Sequence, residues 1–220
     1  MASEIDGVCF RALETHPDER GVFAELYRSE WALGLEVVQW NVVTSLPDVL
    51  RGVHCHIHHD DLLGVAQGEL ILGLADARRE SPTFRRAELH RVPALSAVVR
   101  VPVGVAHGFY FEDPTTMVYA VSAYWDTADE LECRWDDPDL GIDWPGSARD
   151  PQLSPRDERA GSFSQMIDDL DGALTNIADH ARLKKGVVRV AAPQLLSCTL
   201  LPEAIAAYRK ALSLDPSAIG

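Results

Sequence analysis

Several histidines crowd one short stretch of the chain, Arg51-Gly52-Val53-His54-Cys55-His56-Ile57-His58-His59-Asp60-Asp61, and Gly68 lies a little beyond it. Side chains two apart in a strand share a face, so a strand here would project His54, His56 and His58 together. Imidazoles grouped in this way bind divalent metals, and a carboxylate a few residues on completes a ligand set. His107, after Pro102-Val103-Gly104-Val105-Ala106, is a further donor. One reading is therefore a metal centre of His54, His56, Asp61 and His107, taking Fe, Mn, Ni or Zn as a cofactor. The other is a polar barrel interior without metal. His58 and His59 read as solvated loop residues.

The elements that must position these groups are short strands. Val37-Val38-Gln39-Trp40-Asn41-Val42-Val43 is β-rich, as are Leu62 to Ala66 and Leu70 to Leu74, which flank Gln67-Gly68-Glu69. Val105 to Phe111 and Met117 to Trp125 flank Glu112-Asp113-Pro114. Both three-residue breaks read as hairpin turns. No helix fits between Val37 and Trp125. Many short strands at regular spacing predict an all-β jelly roll. After Ser164 the period changes: Met166, Ile167, Leu170, Ala173, Leu174 and Ile177 fall on one helical face. A strand over Gly186 to Ala192 and a helix over Leu200 to Leu214 complete a small α-rich C-terminal extension.

The His-x-His pair with Asp61 and Gly68, and the later Pro102 to His107, resemble the two motifs of the cupins, which implies a double-stranded β-helix. A longer ordered set of segments resembles the dTDP-4-dehydrorhamnose 3,5-epimerase family of that superfamily. It comprises Asp18 to Tyr27, Gln39-Trp40-Asn41, Val49 to His54, Ser81-Pro82-Thr83-Phe84, Pro102 to Phe109, Asp137 to Pro145 and Leu153 to Asp157. The resemblance covers roughly residues 5 to 160. It implies a homodimer that uses no cofactor and acts on a nucleotide-linked 4-keto-6-deoxy sugar, dTDP-linked in that family. His54 would be the base, Asp157 its carboxylate partner and Tyr119 the acid on the opposite face. Arg20, Glu25, Gln39, Asn41, Arg51, His107 and Trp125 would bind the nucleotide sugar. Outside that family context, Arg51 and Asp157 read as ordinary ion-pair residues and Tyr119 as a half-buried strand residue.

One departure stands out. The family carries a lysine a few residues before the turn, where it stabilises the enolate oxygen. Counting back from Gly68 puts Asp61 there, and no lysine lies between Met1 and Pro155. A carboxylate facing an enolate opposes its formation. The His54, His56, Asp61 and His107 metal set would restore positive charge. A changed reaction is the other repair, since Arg51-Gly52-Val53-His54-Cys55-His56 also resembles the sugar-nucleotide 3,4-ketoisomerases. A metal-dependent cupin oxygenase or isomerase, and a sugar-nucleotide binder without turnover, are the competing functions.

Composition sets the outer bounds. The 220 residues carry 20 Lys and Arg against 34 Asp and Glu, a net charge of −14. That balance opposes nucleic-acid binding, which needs a basic footprint. No apolar run is long enough to span a bilayer. The first residues show no export pattern and the 4 cysteines form no CxxC pair, so a cytoplasmic location with reduced thiols is expected. The domain division expected is a barrel over 1–160 and an extension over 161–220. Within that extension, Leu174 to Tyr208 resembles the start of a LysR-type effector domain.

Overall fold

The computed structural model describes residues 2–124, 126 and 129–183. Trp125, the strand expected over Gly186 to Ala192, the helix expected over Leu200 to Leu214 and most of the LysR-like stretch lie outside the described residues. Twelve strands are present among those described: β1 (Cys9–Ala12), β2 (Thr15–Asp18), β3 (Gly21–Ala24), β4 (Gln39–Ser45), β5 (Val49–His56), β6 (Asp61–Gln67), β7 (Glu69–Asp76), β8 (Ala87–Pro93), β9 (Ala97–Val101), β10 (Val105–Phe111), β11 (Thr115–Val121) and β12 (Glu130–Glu132). One helix, α1 (Phe163–Leu183), comes after them, and it covers the apolar stripe expected from Ser164.

Two five-stranded sheets face each other in the orders β1-β9-β6-β11-β4 and β12-β5-β10-β7-β8, while β2 and β3 pair only with each other. This is the jelly roll. It corrects the two hairpins expected at Gly68 and at Glu112-Asp113-Pro114. β6 belongs to the first sheet and β7 to the second; β10 belongs to the second and β11 to the first. Each turn carries the chain across the barrel. The apolar runs in β6 and β7 explain this, because Asp61 to Val65 and Leu70 to Asp76 are buried throughout and a strand covered on both faces shows no clean alternation. Gly68 makes the crossing at φ +83°, and a Cβ there would sit 2.5 Å from the Thr115 hydroxyl.

The inner faces meet in a core of Leu63, Val65, Leu72, Leu74, Val99, Val105, Phe111 and Met117. The outer face of the second sheet is covered by segments C-terminal to the barrel strands. Val53, Cys55, Ala75 and Ala106 pack with Cys133, Leu140 and the α1 residues Phe163, Met166, Ile167 and Leu170. Trp144 lies in a slot opened by Gly73 and Gly108, which are register partners on β7 and β10. Contacts gather residues 1–177 into one compact unit, so the first turns of α1 belong with the barrel.

Candidate active site

β5 is clamped between β10 and β12, with His54 opposite His107 on one side and Glu132 on the other. Its alternation sends Val53 and Cys55 into the outer cluster, while His54 and His56 line a pocket of about 280 Å³ at the open end of the barrel. The opposite wall comes from the first sheet, where Val43 of β4 and Tyr119 of β11 also line it.

His54 is held by a residue far along the chain. The segment after Pro151 is tied to the start of β5 by hydrogen bonds from Leu50 N–H to the Gln152 carbonyl (3.0 Å) and from Gln152 N–H to the Asp48 carbonyl (2.7 Å). The short 3-10 turn Asp157–Arg159 then brings Asp157 Oδ1 to 2.8 Å from His54 Nε2. The Ser154 hydroxyl donates to Asp157 Oδ2 at 2.8 Å. Burial pushes the Asp157 carboxyl up, but the bonds from His54, Ser154 and the Gly52 N–H outweigh it and hold it below the usual carboxylate range. An ionised carboxylate only accepts, so Nε2 carries the proton and Nδ1 keeps the lone pair that can take another.

Tyr119 has the complementary character. Burial pushes its phenol up, the charges of Asp61 and Glu130 push it further, and Arg51 offsets part of this. The hydroxyl is therefore protonated at neutral pH, as a proton donor must be. Arg156 is tied to Glu130 and to Glu132, the latter at 2.5 Å, which compensates two carboxylates beside the dyad.

Deeper in the wall is a buried cluster. Asp61 Oδ2 lies 3.1 Å from His56 Nε2 and 3.1 Å from His107 Nε2. Burial opposes a charge on His107, but the hydrogen bond and charge of Asp61 outweigh it and its pKa is raised. Burial lowers the pKa of His56 despite the same carboxylate. Burial would raise Asp61, yet the two imidazoles hold it far below the usual range. So the carboxylate at this position, unfavourable to an enolate, is engaged by both His56 and His107 at 3.1 Å.

The residues expected in the site divide three ways. His54 and Asp157 form one group; His56, Asp61 and His107 form another. Of the four ligands expected for a metal, His56, Asp61 and His107 lie together, while His54 Nε2 is bonded to Asp157. Arg51 lines the pocket, its Nε donating to the Ser45 hydroxyl at 3.1 Å. Gln39 and Asn41 share the half-buried face of β4 with Val43, joined by a bond from Gln39 Nε2 to Asn41 Oδ1 (2.8 Å), and Asn41 Nδ2 is buried without a partner. The structure does not bring Arg20 and Glu25 to this pocket, because Arg20 pairs with Asp18 on the β2–β3 hairpin and Glu25 with Arg28. His58 is exposed, as expected. His59 is not, with only 1% exposure: its Nδ1 bonds the Asp129 carboxylate. Asp129 is the site residue that sequence reasoning missed, 70 residues from its partner and outside any motif.

A jelly-roll barrel with a His–Asp pair on one wall of its pocket and a phenol on the other defines a protein of the cupin kind. The model of the dTDP-4-dehydrorhamnose 3,5-epimerase family matches residues 2–165. The chain belongs to that family of enzymes. It is 35% identical over 156 residues to the dTDP-4-dehydrorhamnose 3,5-epimerase of Pseudomonas aeruginosa, covering 67% of this chain and 86% of that one. It is 33% identical over 145 residues to the spore coat polysaccharide biosynthesis protein SpsL of Bacillus subtilis, covering 64% of this chain and 96% of that one. The crystal structure of the 3,5-epimerase RmlC from Legionella pneumophila, in complex with dTDP-4-keto-L-rhamnose, superposes with a TM-score of 0.70. The two are 30% identical, over 77% of this chain and 95% of that one. Among the described residues no helix is long and apolar enough to cross a membrane.

Proposed function

We propose that this protein epimerises a dTDP-linked 4-keto-6-deoxy sugar by moving protons beside the ketone. The observation that carries the reading is the placement of acid and base. His54, backed by Asp157, comes from the second sheet, and Tyr119 comes from the first, so the two line opposite walls of one pocket. Inversion at carbon needs this, because the proton must leave one face and return to the other.

A C4 carbonyl acidifies the hydrogens on C3 and C5. His54 Nδ1 takes one of them, and the electron pair of the broken C–H bond moves into the C4 oxygen to give an enolate. Asp157 stabilises the imidazolium that results. The Tyr119 phenol returns a proton to the same carbon from the other side as the enolate collapses to the ketone. His56 and His107, both 3.1 Å from Asp61 Oδ2, engage that carboxylate and lessen the negative charge facing the enolate. Arg51 and the Asn41 amide nitrogen, which has no partner of its own, are donors for the substrate's oxygens. No cofactor takes part in these proton transfers.

The working form is a homodimer. Among the described residues the β2–β3 hairpin pairs with no other strand; it exposes Val22 and Phe23, and the outward face of β4 exposes Trp40 and Val42. Exposed large apolar side chains of this kind favour a second copy of the chain, which would supply Arg20 and Glu25 to the neighbouring pocket.

The test is mass spectrometry of dTDP-4-keto-6-deoxyglucose incubated with the enzyme in deuterated water. Uptake of deuterium above the enzyme-free control is expected. One deuteron would indicate a single centre and two would indicate both C3 and C5; none would overturn the reading.

A further inference from the structure

The proton transfers leave Glu130, Glu132 and Arg156 unused, although all three border the dyad. Directly opposed residues of paired strands share a face, and β12 sets Glu130 opposite His56 and Glu132 opposite His54. A ring nitrogen of His54, a carboxylate oxygen of Glu132 and one of Asp157 all lie within 4.8 Å of one another. The imidazole thus has two carboxylates near it and is bonded to one of them, Asp157, at 2.8 Å.

Arg156 decides between the two. It directly precedes Asp157 in the chain, yet its side chain reaches across to β12. Its Nε donates to Glu132 Oε2 at 2.5 Å, and its Nη1 donates to Glu130. A guanidinium is a planar fork and can hold two carboxylates at once. The Glu130 side chain is only 7% exposed, so water screens that end of the clamp poorly. β12 is three residues long and lies at the edge of its sheet among the described residues. Through these bonds the segment that carries Asp157 is tied to the strand beside His54.

With Glu132 engaged in this way, its charge is neutralised and its oxygens are withheld from the ring. Without Arg156, Glu132 would accept a ring N–H in competition with Asp157. The bond made by one ring nitrogen sets the state of the other. A second acceptor would therefore turn the ring or leave the proton on the wrong nitrogen.

We propose that Arg156 is a positioning residue for the base: by holding Glu132 it reserves the His54 Nε2–H for Asp157 and leaves Nδ1 open to the sugar. The inference rests on the reading of His54 as the base. It gives Arg156 no contact with the substrate.

A rescue experiment tests this. Arg156→Gln should lower kcat for deuterium uptake by about 10²-fold, the scale of a displaced catalytic group, with KM little changed. Adding Glu132→Gln should return most of that rate, because the competing acceptor is gone, although the ion pairs and the Tm they support are not restored. Arg156→Lys offers a point charge in place of a fork; it should lose less and be relieved in the same way. It carries the test if circular dichroism shows that Arg156→Gln does not fold. A second readout needs no substrate. In proton–nitrogen NMR spectra of the histidine side chains, the His54 Nε2–H signal, assigned by its loss in His54→Ala, should move in Arg156→Gln and return when Glu132→Gln is added. Absence of deuterium uptake by the wild type would overturn the epimerase reading and leave this signal to decide the role of Arg156. A loss of rate that Glu132→Gln does not relieve in folded protein would overturn the proposal. So would a rise in KM at unchanged kcat, or a His54 signal that stays in place in Arg156→Gln.

Discussion

Asp157 Oδ1 meets His54 Nε2 at 2.8 Å across 103 residues of chain. The bond fixes which ring nitrogen of the base faces the pocket. It also means that the base is completed only after the last barrel strand has been laid down.

His54→Ala should remove deuterium uptake altogether. Asp157→Asn keeps the geometry but lets the ring adopt the wrong tautomer, and a loss of about 10²–10⁴-fold in rate is expected. Tyr119→Phe should behave differently. The His54 side still exchanges its proton with solvent, so deuterium enters with retained configuration while epimer formation falls by at least about 10²-fold. Product analysis by NMR beside mass spectrometry separates these outcomes.

A second prediction concerns acid stability. Asp76 is fully buried and accepts from Arg78 Nε (2.8 Å), the Ser81 hydroxyl (2.6 Å) and the Thr83 hydroxyl (2.6 Å). Burial pushes its carboxyl up, but those donors outweigh it and hold it below the usual range. A lowered folded-state pKa adds stability that is complete above the unfolded value of about 4 and is lost as pH falls through the folded one. Asp76→Asn should cost about 2–3 kcal/mol at pH 7. Thermal melts of both proteins should converge as the pH falls through the lowered folded-state value.

Gly73 tests the slot beneath the barrel. A Cβ there would stand 2.7 Å from the Trp144 ring, whose Nε1–H donates to the Trp135 carbonyl at 2.9 Å. Gly73→Ala must displace the indole, at a cost of about 1–3 kcal/mol. Urea denaturation monitored by tryptophan fluorescence should show both a lower midpoint and an altered native spectrum.

Thiol labelling should track burial. Cys9 is exposed, whereas Cys55 and Cys133 are buried. Burial pushes the Cys55 thiol up to about 12 and raises that of Cys133 as well. Only the thiolate reacts quickly. Peptide mapping after brief alkylation should find Cys9 modified, with Cys55 and Cys133 modified only in denaturant.

Much of the fold and site was legible in the sequence, for reasons that also mark its limits. The two-residue period placed His54 and His56 on one face, and the helical stripe from Met166 to Leu170 announced α1. The turns at Gly68 and Glu112-Asp113-Pro114 were legible as turns. Their destination was not, because backbone geometry at a turn does not say which sheet the next strand joins. His59 was read as solvated since it lies just past the strand and adjoins the exposed His58. Its burial depends on Asp129, and a contact between two loops leaves no periodic trace. The separation of His54 from His56 had the same origin, since two side chains on one face can each be claimed by a different distant carboxylate.

From β4 to β12 every connection but that between β7 and β8 passes from one sheet to the other. Neither sheet is a contiguous stretch of chain, so neither can form ahead of its partner. Pairings of such long sequence separation fold slowly, and a nascent chain halted at Phe111 would hold His54 and His107 but lack the strand bearing Tyr119. The two halves of the reaction centre therefore come into being in one event. A cut within Glu112-Asp113-Pro114 in the finished protein would leave two pieces interleaved rather than two lobes that drift apart.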